Sequence, residues 1–140
     1  MKVLIDSNVL VSAIYAPNSI PHQAYKKAVE APYQGLICTF SLEEMRRVFN
    51  RKLPNYIPQF EKFLAEIISV VEIVPVPTIT HAYEDEIRDI NDRPILRAAI
   101  SSGAEILLTG DKDFLESGLQ TPSMMTAAEF LTLSYNVDFL

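Results

Sequence analysis

Five short apolar runs punctuate the chain: Lys2–Ile5 (KVLI), Gly35–Thr39 (GLICT), Val70–Val76 (VVEIVPV), Glu105–Thr109 (EILLT) and, more weakly, Thr121–Met125 (TPSMM). They are β-branched or apolar without clean alternation, the pattern of strands covered on both faces. Pro75 and Pro77 limit the far end of the third run. Helical repeats lie between the runs. SNVLVSAIYA follows the first, and PHQAYKKAVEA follows NSI and ends near Pro32. SLEEMRRVFNRKL places Leu42, Met45, Phe49 and Leu53 on one stripe. YIPQFEKFLAEIISV supplies another helix. RPILRAAISSG precedes the fourth strand and stops at Gly103, a helix-ending residue. TAAEFLTL closes the pattern, with Thr126 and Glu129 spaced as a capping box.

Strands that alternate with helices predict an α/β fold of three layers, α/β/α, around a central parallel sheet of four to five strands. With 140 residues and no repeat, linker or low-complexity tract, a single domain over residues 1–140 is expected. Ligands of such sheets sit beyond the carboxyl ends of the strands. The residues that follow each strand are therefore the place to look for chemistry.

Asp6, Ser7 and Asn8 follow the first strand. Thr39 and, early in the next helix, Glu44 follow the second. Thr109, Gly110, Asp111 and Asp113 follow the fourth, and Asp92 sits just before the helix that feeds it. Each acid also has a plain structural reading. Asp6 and Asp92 stand at helix starts, where Asp is a preferred cap. SLEE is a capping box of Ser41 with Glu44. Asp111 and Asp113 could flank a turn and begin a helix, with Lys112 solvated and Gly110 giving the backbone freedom to turn. Taken together the plain readings weaken. Carboxylates packed at one sheet edge repel, and some would have to take up protons. A divalent cation removes that conflict, and Mg²⁺ and Mn²⁺ favour carboxylate oxygen.

Composition narrows the alternatives. The chain is 49% hydrophobic and 21% charged, ordinary for a globular protein, and no apolar run approaches a membrane span. The apolar N-terminal stretch is broken by Asp6 and Asn8 and has no small-residue cleavage site, so it does not read as a signal peptide. A lone cysteine, Cys38, allows no internal disulfide, fits a cytoplasmic location and reads as a core residue. The net charge of −6 does not by itself suggest a nucleic-acid partner, although acids gathered around cations would be offset locally. There is no Gly-rich phosphate loop. His22 and His81 form no metal-binding pair and read as surface residues. Ser7 and Ser12 have no evident histidine partner.

Three stretches, in order and in register with the strand ends, resemble motifs of the PIN-domain family of metal-dependent ribonucleases, and within it the VapC-like toxins. VLIDSNVLVSAI is similar to the opening motif of strand, Asp, small hydroxyl residue and Asn, with Ser7 where Thr is commoner. SLEEMRRVF is similar to the motif that supplies a helical Glu, Glu44 matching better than Glu43. DINDRPILRAAISSGAEILLTGDKDFL is similar to the long C-terminal motif. Asp89 competes there with Asp92, which is favoured for its place directly before the helix.

The resemblance implies an endoribonuclease that hydrolyses RNA phosphodiester bonds with water activated by carboxylate-held Mg²⁺ or Mn²⁺. It implies that Asp6, Glu44, Asp92 and Asp111 are the catalytic acids and hold one or two such ions. Asn8 and Thr109 would orient the carboxylates, and Asp113 would be an auxiliary ligand or a helix cap. It also implies a cognate antitoxin as protein partner and a homodimer, with the tail LSYNVDFL covering the sheet edge or entering the dimer contact. On the Glu44 helix, Arg47 and Arg51 share the Glu44 side and are candidates for RNA phosphate contacts, unless Glu43 pairs with Arg47 along the helix. Arg46 falls beside the apolar stripe without an evident role. A haloacid-dehalogenase-like phosphatase would need a second Asp at position 8, which is Asn. A response-regulator receiver would need an acid after the middle strand, where VPVPTIT stands. A non-catalytic RNA- or protein-binding module would not need the full set of acids.

Overall fold

The computed structural model describes residues 1–134. Five strands form one parallel sheet in the order β3-β2-β1-β4-β5. They are β1 (Lys2–Ile5), β2 (Gln34–Cys38), β3 (Val71–Val74), β4 (Ile106–Leu108) and β5 (Ser123–Met125). Seven helices connect and follow them: α1 (Ser7–Tyr15), α2 (Ile20–Ala28), α3 (Thr39–Lys52), α4 (Ile57–Ile67), α5 (Arg93–Ser102), α6 (Lys112–Leu115) and α7 (Ala127–Thr132). This is the expected three-layer α/β/α arrangement. No helix among the described residues is long and apolar enough to cross a membrane.

The unalternating strands explain the two cores. Val3, Ile5, Ile37, Ile106 and Leu108 point to one face, where α1–α4 and α7 bring Leu10, Met45, Phe49, Phe60 and Phe130. Leu4, Leu36, Cys38 and Leu107 point to the other, against Ile95, Leu96, Ala98 and Ala99 of α5 and Phe114 of α6. Phe49 stacks on Phe60 with ring centroids 4.8 Å apart, and Arg46 lies over the Phe60 ring, which gives that arginine a packing role. The stripe read from the sequence is therefore the buried side of α3. Gly103 ends α5 in the left-handed conformation, and Thr126 with Glu129 forms the capping box of α7.

Three local expectations are corrected. Helix α3 begins three residues earlier than a cap at Ser41 in SLEE suggests. Cys38 is its N-cap without a side-chain bond, and Ser41 is buried inside the helix with its hydroxyl 3.3 Å from Cys38 Sγ. The Ser41–Glu44 capping box does not form, because packing of Ser41 against the strand end overrides the local signal. Strand β3 is shorter than its apolar run and lies at the sheet edge, so Ile73 is exposed rather than covered on both faces. His22 and His81 are half-buried rather than on the surface. Each accepts through Nδ1, from Asn18 N and Tyr83 N respectively. The tail from residue 135 lies outside the described residues, and with it most of the LSYNVDFL expectation.

The sheet order positions the site. From β1 the chain moves outward through β2 to β3, then returns to place β4 on the other side of β1. The connections therefore leave the β1–β4 pair in opposite directions, which opens a crevice beyond their carboxyl ends. The two ends are level: Ile5 pairs with Leu108, and Asp6 N donates to Leu108 O at 2.9 Å.

Candidate functional site

Asp6 and Thr109 stand directly past β1 and β4, side by side and buried. Thr109 Oγ1 donates to Asp6 Oδ2 at 2.8 Å and accepts from Asp111 N at 3.0 Å. One hydroxyl thus ties the first acid to the backbone of the fourth. Asp6 also accepts from Ser7 N at 2.7 Å and from Asn8 Nδ2 at 3.3 Å, while Asn8 Oδ1 accepts from Gly110 N at 3.2 Å. Asn8 is therefore a bracket between the two strand ends. Ser7 Oγ donates to Glu44 Oε1 at 3.2 Å and draws α3 into the same group. Gly110 does not need glycine's conformational freedom. Its φ lies outside the left-handed region, and an added Cβ would come no closer than 3.8 Å to Asn8 Oδ1. Beside it opens a shallow cleft of about 200 Å³, lined in part by Asn8, Ser12, Thr109 and Gly110.

The remaining acids arrive from the stretch between β3 and α5 and from α6. Asp92 is the N-cap of α5 but makes no side-chain cap bond, so its carboxyl group is left for the crevice. Asp89 caps the short 3-10 turn Ile90–Asp92 by accepting from Asn91 N. Asp111 caps α6 by accepting from Asp113 N at 2.9 Å, so the cap reading of Asp111 holds alongside its place in the crevice. Oxygens of Asp89, Asp92 and Asp113 all lie within 4.8 Å of one another, and no other trio among the described residues does so. The expected quartet of Asp6, Glu44, Asp92 and Asp111 is brought to one crevice but not to that mutual distance. The tightest trio instead includes Asp89, read from the sequence only as a competitor of Asp92, and Asp113, read as auxiliary.

The electrostatics record the crowding. Burial pushes the Asp6 carboxyl up to about 6, with the Thr109 hydrogen bond opposing and the Glu44 and Asp111 charges adding. Asp92 is pushed up to about 8, first by burial, then by side-chain hydrogen bonding with Asp111 and by the charges of Asp111, Asp89 and Asp6. Glu44 is raised by burial and by Asp111 and Asp89, against the Ser7 hydrogen bond and the Arg47 charge. Five carboxyl groups thus sense one another, and Asp113 lies beside Asp89 and Asp92. The donors are carboxylate oxygens alone, the set that hard divalent cations take, and a cation there would relieve the repulsion.

Arg47 and Arg88 border this group. Arg47 is exposed beside Glu44, makes no ion pair with Glu43, and so leaves the intrahelical alternative without support. Arg51 is exposed at the end of α3. Arg88, which sequence reading missed, bridges Asp113 at 2.8 Å and Glu116 at 3.1 Å. Its only sequence signal is its place next to Asp89.

A family model described as PIN domain matches residues 2–113. The chain belongs to the PIN-domain family. It is 29% identical over 116 residues to an uncharacterized protein, MJ1680, of Methanocaldococcus jannaschii, across 82% of this chain and 74% of that protein. Among solved structures it is similar to VapBC2 from Rickettsia felis, determined bound to a DNA fragment from their promoter. There the TM-score is 0.67 at 19% identity, over 90% of this chain and 98% of that one. It is also similar to VapC20 of Mycobacterium tuberculosis, a toxin that cleaves the sarcin-ricin loop, with a TM-score of 0.56 at 14% identity over 84% and 95% of the two chains. At these identities the likeness is one of fold, and the fold is that of VapC toxins. Family membership sets aside the phosphatase and receiver readings.

Proposed function

We propose that the chain is a divalent-metal-dependent endoribonuclease and the toxin of a toxin–antitoxin pair. The observation that carries the proposal is the gathering of six carboxyl groups from separate segments at the one crevice where the sheet order favours a ligand. Asp6, Glu44, Asp92 and Asp111 are the proposed catalytic acids and would hold Mg²⁺ or Mn²⁺, with Asp89 and Asp113 as further carboxylates beside Asp92. When bound there, the ion supplies Lewis acidity, easing deprotonation of water and offsetting charge that develops on the phosphodiester.

The chain's own groups do the rest. Thr109, Ser7 and Asn8 hold Asp6 and Glu44 in orientation through hydrogen bonds. Arg47 and Arg51 are exposed on the Glu44 helix and can meet RNA phosphates. RNA as substrate and an antitoxin as partner are supported by the fold shared with VapBC2 and with VapC20, a sarcin-ricin loop cleaving toxin. A homodimer remains part of the proposal.

The purified protein is expected to cut RNA with Mg²⁺ or Mn²⁺, to stop in EDTA, and to lose activity about 100-fold or more as Asp6→Asn or Asp92→Asn. Full activity of the Asp6→Asn protein would refute the metal-centre reading. Growth arrest on induced expression, absent in the Asp6→Asn chain, separates a toxin from a housekeeping nuclease.

A further inference from the structure

Asp89 and Asp92 sit at the end of a stretch, residues 75–92, that contains no strand and no α-helix. Its apolar residues Ile79 and Ile90 are 84% and 70% exposed, so little of it is anchored by burial. Segments with so few apolar contacts ordinarily open locally. Here two arginines four residues apart on α5 fasten it. Arg97 Nε and Nη2 donate to the two carboxylate oxygens of Glu84 at 3.1 and 2.8 Å, and Arg97 Nη1 donates to Pro77 O at 2.9 Å. Glu84 is buried and also accepts from His81 N. Arg93 Nε donates to Ile87 O at 3.0 Å, and Ile87 is fully buried against the α5 core. The stretch is thus tied to α5 at its start, middle and end. Asp92 is the N-cap of that same helix, and Asp89 lies two residues past Ile87.

We infer that Arg97, acting through Glu84 and Pro77, is a positioning residue for the metal centre: it fixes residues 77–89 to α5 so that Asp89 and Asp92 face Asp113 as a preformed trio. The inference rests on the metal-centre reading above. A bidentate buried pair is a poor device for stability alone, since apolar side chains of similar volume often serve as well or better. It is a good device for fixing the position of a backbone that has no ladder of its own.

The test is Mn²⁺ titration calorimetry on the full chain, with circular dichroism to confirm folding and cleavage assays across Mn²⁺ concentration. Arg97→Met is expected to keep its helical spectrum, to weaken Mn²⁺ binding about 10-fold, and to recover its maximal rate in excess Mn²⁺. Arg97→Lys should fall between Arg97→Met and the parent. A folded Arg97→Met chain with the parent's Mn²⁺ affinity overturns the inference. Should Arg97→Met fail to fold because it leaves Glu84 buried and unpaired, Glu84→Ala decides. It removes both bonds to Arg97 and leaves that partly exposed guanidinium able to reach water, and a folded Glu84→Ala chain with the parent's Mn²⁺ affinity overturns the inference there. Absence of Mn²⁺ binding by the parent overturns the metal-centre reading itself, a result distinct from equal binding by parent and variants.

Discussion

The strand-end acids and the acids before α5 meet in one crevice, but they are held there by different means. Asp6 continues β1, its backbone still bonded to β4, and its carboxylate accepts from Ser7, Asn8 and Thr109. Nothing beyond the folding of the sheet is needed to place it. Asp89 and Asp92 belong to a stretch of 3-10 turns outside the sheet, and arginines on α5 hold that stretch. One arm of the site is a by-product of strand pairing, while the other depends on a few specific ion pairs and hydrogen bonds. The two arms should therefore fail separately and by different routes.

The strand-end arm is broken most directly by Thr109→Val, which keeps the shape but removes the hydroxyl that serves both Asp6 and Asp111 N. Initial cleavage rates are expected to fall about 10- to 100-fold, with a higher Mn²⁺ requirement. Rates equal to the parent's would show that the remaining Asp6 hydrogen bonds suffice.

Titration of stability separates the arms at smaller amplitude. Both raised carboxyls, Asp6 at about 6 and Asp92 at about 8, exceed their ordinary value of 3.8, so folding favours their protonated forms. In EDTA that contribution is full at acid pH and is lost as pH rises through about 6 and then about 8. Glu84 is lowered by Arg97 and acts in the opposite sense, but only at more acid pH. Melting temperature should therefore drop by roughly several degrees between about pH 5 and pH 8.5 and recover with Mn²⁺. Asp6→Asn should flatten the curve only below about pH 6, whereas Asp92→Asn should flatten it up to about pH 8. A melting temperature in EDTA that is flat or rises over this range contradicts the crowding of charge.

The smallest effect concerns neither arm but the exposed arginines of α3. Arg47→Gln and Arg51→Gln, each made in an Asp6→Asn background, should leave melting unchanged. Each should reduce the dependence of log RNA affinity on log salt by about 1 or somewhat less. An unaltered salt slope would remove these arginines from the RNA path.

This contrast also explains what could be read from the sequence. Strands buried on both faces announce themselves as apolar runs, and whatever follows them is carried to one sheet edge. Asp6, Thr109 and Asp111 were therefore legible as neighbours although 103 residues separate Asp6 and Thr109. Glu44 was legible through its helix, although its capping role was misread because the Ser41 hydroxyl turns into the core. The other arm has no periodicity to read. The 3-10 turns of residues 82–92 are set by side-chain caps from His81 and Asp89, and Glu84 meets Arg97 13 positions further on, inside α5. Asp89 was visible as an acid, but nothing in its spacing told that it would stand closer to Asp92 and Asp113 than Asp6 does.

The order of the acids along the chain has one more consequence. Asp6 and Glu44 precede the edge strand β3, whereas Asp89, Asp92, Asp111 and Asp113 follow it. The exposed segment around Ile79 divides them. A chain cut at Ile79 would leave β1, β2 and β3 on one piece with two of the acids, and β4 and β5 on the other with four. The β1–β4 pairing would then be the only sheet contact able to reunite them. The acidic centre would be divisible into two incomplete parts, and on the proposed function their reassembly could be read as restored RNA cleavage.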